Sequence, residues 1–155
     1  MGTGCLIKPC TAAEILSPAN AHLIEEYSAE SAIAGMPHTV ARLEAYRKLE
    51  EAGMMRCYGA YDGPKLIGFT SVLISVLPHY GAPTAIVESI FVQAQSRKGG
   101  AGTLLLKTVE QHARERGAVG ILISAPVDGS LSRLLGHDRS GYRHTNQVFF
   151  RSTSV

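Results

Sequence analysis

Read for the spacing of its apolar positions, the chain is helical in character up to about residue 52, extended from 55 to 92, and helical again from 101. Cys5–Cys10 (CLIKPC) reads as a short strand stopped by Pro9. Thr11 is a natural N-cap, and Glu14 completes a capping box, so a helix is expected from there to about Glu26, with Pro18 interrupting it early. Val40, Leu43, Tyr46 and Leu49 share one face across Thr39–Ala52, which predicts a second helix stopped by Gly53. The spacing then turns extended. Met55–Tyr61 and Lys65–Leu77 are expected as strands joined at Asp62-Gly63, a hairpin signal, and a turn over PHYGAP (78–83) leads to a third strand at Ala85–Val92.

After a glycine-rich break, Leu105, Val109 and Ala113 recur at helical spacing, and Glu110 with Arg114 forms a favourable exposed pair. A helix is therefore expected over about Ala101–Arg116, ended by Gly117. Val119–Ser124 (VGILIS) is a continuous apolar run, as in a strand buried on both faces. A short helix is expected around Gly129–Leu135, and a last strand or hairpin in GYRHTNQVFFR (141–151). The strand at 85–92, the helix at 101–116 and the strand at 119–124 have the form of a β-α-β crossover. A mixed α/β fold results, in which a largely antiparallel meander feeds that crossover. No repeat, low-complexity tract or linker divides the chain, so residues 1–155 are expected to form one domain.

Composition narrows the function classes. With 45% apolar and 18% charged residues the balance is globular, and the net charge of +2 is too small to point to nucleic acid or a membrane surface. No apolar run reaches the ~18 residues of a membrane span. The N-terminus lacks the basic and apolar regions of a signal peptide, and Leu6 breaks the myristoylation pattern that Gly2 opens, so a cytoplasmic protein is expected. Cys5, Cys10 and Cys57 form no CxxC, and the six histidines show no metal-ligand spacing. Small, partly buried thiols are expected, with no metal site.

The chemistry concentrates at RKGGAG (97–102). The P-loop needs Lys-Ser/Thr after its last glycine, and neither Gly100 nor Gly102 is followed by one. The dinucleotide fingerprint GxGxxG can start at Gly100, but Leu105 stands at its third glycine. A third pattern, [RQ]-x-x-G-x-[GA], is met throughout by Arg97-Lys98-Gly99-Gly100-Ala101-Gly102. Free N–H groups and the positive end of a helix dipole make an anion site, and glycines let the backbone close on a diphosphate. A solvated loop capping an ordinary helix is the plain alternative.

The neighbours of the loop decide between these. Glu88-Ser89-Ile90-Phe91-Val92 precedes it, and the whole stretch 87–118 resembles the central motif of the GNAT superfamily of N-acetyltransferases. LIKPCTAAE (6–14) is similar to that family's first strand and helix start, YGAYDGPKLIGFTSVLI (58–74) to its second and third strands, and Gly141-Tyr142 with VFFR (148–151) to its Gly-Phe turn and last strand. The resemblance implies a mostly antiparallel sheet flanked by helices, with one strand pair splayed apart. It also implies acetyl-CoA as cosubstrate and transfer of the acetyl group directly to a primary amine of a small molecule or peptide, without a metal. A CoA-binding module without catalysis is the alternative. Family precedent favours a homodimer over a monomer.

Residue roles follow by resemblance. The backbones of Ile90, Phe91 and Val92 would pair with the pantetheine arm, and Arg97, Lys98, Gly99, Gly100, Ala101, Gly102 and Thr103 would hold the pyrophosphate. Glu88 is the candidate general base. Strand alternation puts it on the apolar face of Ile86, Ile90 and Val92, where desolvation favours the protonated carboxyl unless it is paired. A rim carboxylate that attracts the cationic acceptor or pairs with Arg is the plainer role. Many family members carry a Tyr general acid four residues before the terminal Gly-Phe. Here that position is His137, which either protonates the leaving thiolate or is an exposed loop residue. His79 and Tyr80 either line the acceptor pocket or form a plain turn. Glu25, Glu26 and Glu30 give either an acidic mouth or a solvated helix face.

Overall fold

Thr11 opens the first helix as its sequence dictates: its side chain accepts from the Glu14 N–H, and the Glu14 carboxylate accepts from the Thr11 N–H. The helix ends sooner than expected. The structure, a computed structural model that describes residues 4–37 and 43–153, breaks it after one turn. α1 spans Ala12–Ile15, a 3-10 turn begins at Pro18, and α2 then runs Ala21–Ser31, past the expected limit at Glu26. Proline at 18 is pre-set for a helix start and cannot continue an existing one. α3 covers Leu43–Glu51, and the expected start at Thr39 with Val40 lies outside the described residues. It ends in a Schellman pattern, with Gly53 at φ +71 and bonds from Met54 N to Leu49 O and from Gly53 N to Glu50 O.

The strands are β1 Leu6–Cys10, β2 Met55–Asp62, β3 Lys65–Leu77, β4 Ala82–Val92 and β5 Ile121–Ile123. They form one sheet in sequence order, antiparallel except for β4 beside β5. α4, Ala101–Glu115, makes the crossover between these two parallel strands. α5 spans Ser130–Leu135.

Each sheet face has its own core. α4 packs Leu105, Val109 and Ala113 against Tyr58, Ala60, Val72, Ala85 and Val87 on one side. α1, α2 and α3 pack on the other, where Leu23 and Ile15 meet Met55, Cys57, Phe69 and Phe91. No helix among the described residues is long and apolar enough to cross a membrane.

Two expectations about the C-terminal half are corrected. The run at 119–124 makes only a three-residue strand at the sheet edge, and it is not buried on both faces, because Leu122 is 44% exposed. Residues 141–151 form no strand at all; Val148 and Phe149 stand in solvent, and the tail returns toward the loop after α2, bringing the Phe150 ring against Gly35. The apolar residues that suggested a strand have no described strand beside them to complete a ladder.

Candidate active site

β4 and β5 stay paired only from Ala85↔Ile121 to Val87↔Ile123, after which β5 ends and β4 runs on alone to Val92. The strands therefore part at Glu88. On the other edge of β4 the register with β3 also slips there: Ser71 pairs with Ser89, but Val72 pairs with Val87, leaving Glu88 as an extra, unpaired residue. Such a bulge reverses the in–out alternation of the strand. Ala85 and Val87 face α4 before it, and Ile90 and Val92 face α4 after it, while Phe91 packs among the α1–α3 core. Buried Thr70 donates to the Ser89 carbonyl at the bulge, 2.8 Å, and so satisfies it. Gln93 N bonds Ile67 O on the β3 side, so alternation turns the main chain of Ile90 and Val92 outward, toward the gap beside β5.

The bulge corrects the face assigned to Glu88 from sequence. It does not share the side of Ile90 and Val92; it reaches toward α3, where Tyr46 Oη donates to its Oε1 at 2.9 Å and Ser71 Oγ donates to its Oε2 at 2.5 Å. Ser71 spends its only hydroxyl hydrogen on Glu88, so the 2.6 Å contact between Ser71 and Ser89 is donated by Ser89. A chain Ser89→Ser71→Glu88←Tyr46 results. The carboxylate is exposed, not desolvated. Burial, and then the Glu88 charge, push the phenols of Tyr46 and Tyr27 above the ordinary tyrosine range. Both therefore keep their protons near neutrality. A narrow cavity under α1–α3 reaches the same hydroxyls; Ile15, Ile24, Tyr27 and Phe69 form its apolar wall, and Ser71 and Ser89 its polar corner. A larger, shallower groove between β1 and α4 holds none of these groups.

On the far side of the parting, a 3-10 turn (Ala94–Gly99) leads to α4 through Gly100, whose φ of +82 only glycine adopts readily. Gly100 is the N-cap of α4 and gives no side-chain cap to the first N–H groups of the helix, and a Cβ at Gly99 or Gly100 would meet nothing within 4 Å. Lys98 and Thr103 are exposed beside them. This is a cradle of the kind a diphosphate needs, next to the uncovered main chain of Ile90–Val92, and those residues fit a CoA moiety.

Arg97 is differently engaged from what the loop pattern suggests. Its Nε donates to Val92 O at 2.9 Å, its Nη2 meets Glu30 Oε2 at 2.6 Å, and its guanidinium lies 5.4 Å from the centre of the Phe91 ring. Glu26, one turn earlier on α2, accepts from Ala94 N at 2.8 Å. Glu26 and Glu30 thus strap α2 to the loop instead of forming an acidic mouth. Among the described residues no group of three or more His, Cys, Asp and Glu could hold a metal ion.

The fold has relatives. A model of the acetyltransferase (GNAT) family matches residues 20–131. The chain belongs to the GNAT acetyltransferase family. No curated protein matches this acetyltransferase by sequence. Among solved structures it is similar to AAC(6')-Iy in complex with the bisubstrate analogue CoA-S-monomethyl-acetylneamine, at TM-score 0.71 and 18% identity over 99% of this chain and 100% of the other. The ribosomal-protein-alanine N-acetyltransferase of Brucella melitensis biovar Abortus 2308 gives 0.70 and 18% over 96% and 99%. An aminoglycoside acetyltransferase, meta-AAC0020, from an uncultured soil metagenomic sample, in complex with sisomicin, gives 0.68 and 15% over 95% of each chain. At these identities the likeness speaks to the fold.

Among the described residues, none of the remaining sequence candidates of this acetyltransferase hydrogen-bonds Glu88. His79 and Tyr80 stack on each other, ring centres 4.8 Å apart, in the turn between β3 and β4, and Tyr80 is 69% exposed. At ~3.4 Å per residue, the seven-residue run of β4 back from Glu88 puts that turn about 20 Å from the carboxylate. His137 is exposed in the turn after α5, its Nδ1 accepting from Arg139 N at 3.2 Å. Tyr142 packs half-buried on α4 and donates to Glu110 at 3.2 Å. Tyr46 and Ser71, the partners of Glu88, escaped the sequence reading. The one trace of them is the polar pair Thr70-Ser71 inside the apolar run of β3.

Proposed function

We propose that this single-domain GNAT enzyme transfers an acetyl group from acetyl-CoA directly to a primary amine. The observation that carries the proposal is the parting of β4 from β5 at the residue where the bulge turns Glu88 toward the helices, with the uncapped, glycine-rich start of α4 beside it. Acetyl-CoA supplies the acyl group as a reactive thioester. The main chain of Ile90, Phe91 and Val92 would hold its pantetheine arm, and the N–H groups from Lys98 to Thr103 its diphosphate.

An alkylamine is mostly protonated at neutral pH and must lose that proton to act as a nucleophile. Glu88 takes it; Tyr46 and Ser71 hold the carboxylate in place, and Ser89 extends the same chain of hydroxyls. Neither half-buried phenol competes as a base. Transfer needs no metal and no enzyme nucleophile. Under this proposal the enzyme is cytoplasmic and homodimeric, and works without nucleic acid or membrane. The test is the release of free CoA thiol from acetyl-CoA by the purified chain with and without added amine. Amine-stimulated release supports transfer. Binding of acetyl-CoA with no stimulated release by any amine would favour a CoA-binding module without catalysis.

A further inference from the structure

Tyr46, Ser71 and Ser89 line the narrow cavity under α1–α3, and Glu88 does not. Its exposed carboxylate is joined to that wall through Tyr46 at one oxygen and Ser71 at the other. An amine in the cavity therefore meets hydroxyls before it meets the carboxylate. Ser71 is 2% exposed and stands in the middle of the chain, accepting from Ser89 at 2.6 Å and donating to Glu88 Oε2 at 2.5 Å. Ser89 forms the other end. Its hydrogen goes to Ser71, and among the described residues nothing donates to its own oxygen.

An ammonium group carries donors only, so in this corner it needs an acceptor. Ser89 Oγ offers one, on β4 directly before Ile90–Val92, whose main chain would hold the pantetheine arm. Thr70 donates to the Ser89 carbonyl at 2.8 Å and fixes the residue there. Tyr46 is the rival route, since it donates to Glu88 Oε1 and also lines the cavity, but it stands on α3 and not on the strand that parts.

We propose that the acceptor amine gives its proton to Ser89 Oγ, and that Ser89 and Ser71 carry it to Glu88. An N–H bond of the ammonium breaks as its proton reaches Ser89 Oγ. Ser89 passes its own hydrogen to Ser71 Oγ, and Ser71 passes its own to Glu88 Oε2. Each serine ends with one hydrogen, the amine is neutral and Glu88 is protonated, so protons and charge balance. The inference rests on the transfer reading above and adds the route by which the base is reached.

The experiment measures single-turnover acetyl transfer by the full chain from bound acetyl-CoA. The amine is whichever of 2-phenylethylamine, spermidine or a short peptide with N-terminal alanine releases most CoA thiol with the wild type. Ser89→Ala is expected to slow transfer by at least about tenfold, less than the ~100-fold of a lost general base because water can take the place of the hydroxyl. Acetyl-CoA affinity and the acid limb of the pH–rate profile should stay as in the wild type, since Tyr46 and Ser71 still hold Glu88. Ser89→Thr keeps the hydroxyl and should recover most of the rate. In mixtures of H2O and D2O the wild-type rate should fall along a curve, as when several protons move together, and Ser89→Ala should bring it toward a line. An undiminished rate in Ser89→Ala, an equal loss in Ser89→Thr, or a loss found only in Tyr46→Phe would overturn the relay while leaving transfer intact. If none of the three amines stimulates thiol release, the transfer reading falls and the relay falls with it.

Discussion

Replacing Glu30 by Gln tests what Arg97 does for the CoA loop. The change keeps the shape of the side chain and removes the charge that Arg97 Nη2 meets at 2.6 Å. Arg97 also holds Val92 O and lies over Phe91, so the pair ties the end of β4 and the loop to α2. If Arg97 is such a strut, its loss loosens the loop and weakens CoA binding. The magnitude is bounded by exposure: with side chains 44% and 29% exposed, the pair belongs to the screened class that contributes about 0.2–1 kcal/mol. At 1.4 kcal/mol per tenfold, CoA affinity then falls by no more than about fivefold. Melting falls by no more than about 4 °C in a chain of this size. Calorimetric titration of CoA into the wild type, Glu30→Gln, Arg97→Gln and the double variant gives the coupling directly, and the double variant should bind CoA no worse than Arg97→Gln alone. Raising the salt should narrow the gap between wild type and Glu30→Gln. If Arg97 is instead a phosphate ligand held back by Glu30, removing the carboxylate frees it. Tighter CoA binding by Glu30→Gln would therefore refute the strut.

Two other perturbations test the loop and the buried thiols. A Cβ at Gly100 meets nothing within 4 Å, so the cost of Gly100→Val in the free protein is set by left-handed strain at φ +82, at least about 1–2 kcal/mol. CoA binding should nevertheless be lost, and Gly100→Asn, which tolerates that backbone better, should regain stability without regaining affinity; unchanged affinity in either variant would make the segment a simple turn. The second concerns alkaline pH. Burial, followed by the charges of Glu14 and Glu50 for Cys10 and of Glu50 for Cys57, pushes both thiols from 9.0 to about 12. Unfolded thiols ionise first, so the stability that these groups contribute is complete below pH 9.0 and is lost as the pH rises toward about 12. Urea unfolding from pH 8 to 11 should show this fall, and the double change Cys10→Ala, Cys57→Ala should reduce it, the rest coming from the tyrosines whose phenols are also raised. An unaltered slope would show that the thiols do not titrate with unfolding.

The features legible in the sequence were those fixed by neighbours in the chain. The Thr11–Glu14 capping box, the glycine stops at Gly53 and Gly117, and the β2–β3 hairpin each depend on a few adjacent residues. RKGGAG was readable for the same reason, since an uncapped helix start with a left-handed glycine needs only local chemistry. The features that escaped depend on partners far along the chain. Alternation assigned Glu88 to the wrong face because one unpaired residue, visible only in the pairing of Ser71 with Ser89 and Val72 with Val87, reverses the count. The bond from Arg97 to Glu30 escaped because the two lie 67 positions apart. Val119–Ser124 and the segment 141–151 have the composition of strands, but a strand forms only beside another, and the described sheet ends at β5.

The most direct measurement is the turnover of Glu88→Gln, taken together with its affinity for acetyl-CoA. The amide keeps a partner for Tyr46 or Ser71 but cannot take a proton from the acceptor. With the carboxylate acting as base at the parting of β4 and β5, kcat at neutral pH should fall by at least about 100-fold while acetyl-CoA binds as it does to the wild type. Near-normal turnover with an unchanged pH–rate profile would contradict the assignment and return Glu88 to a rim carboxylate.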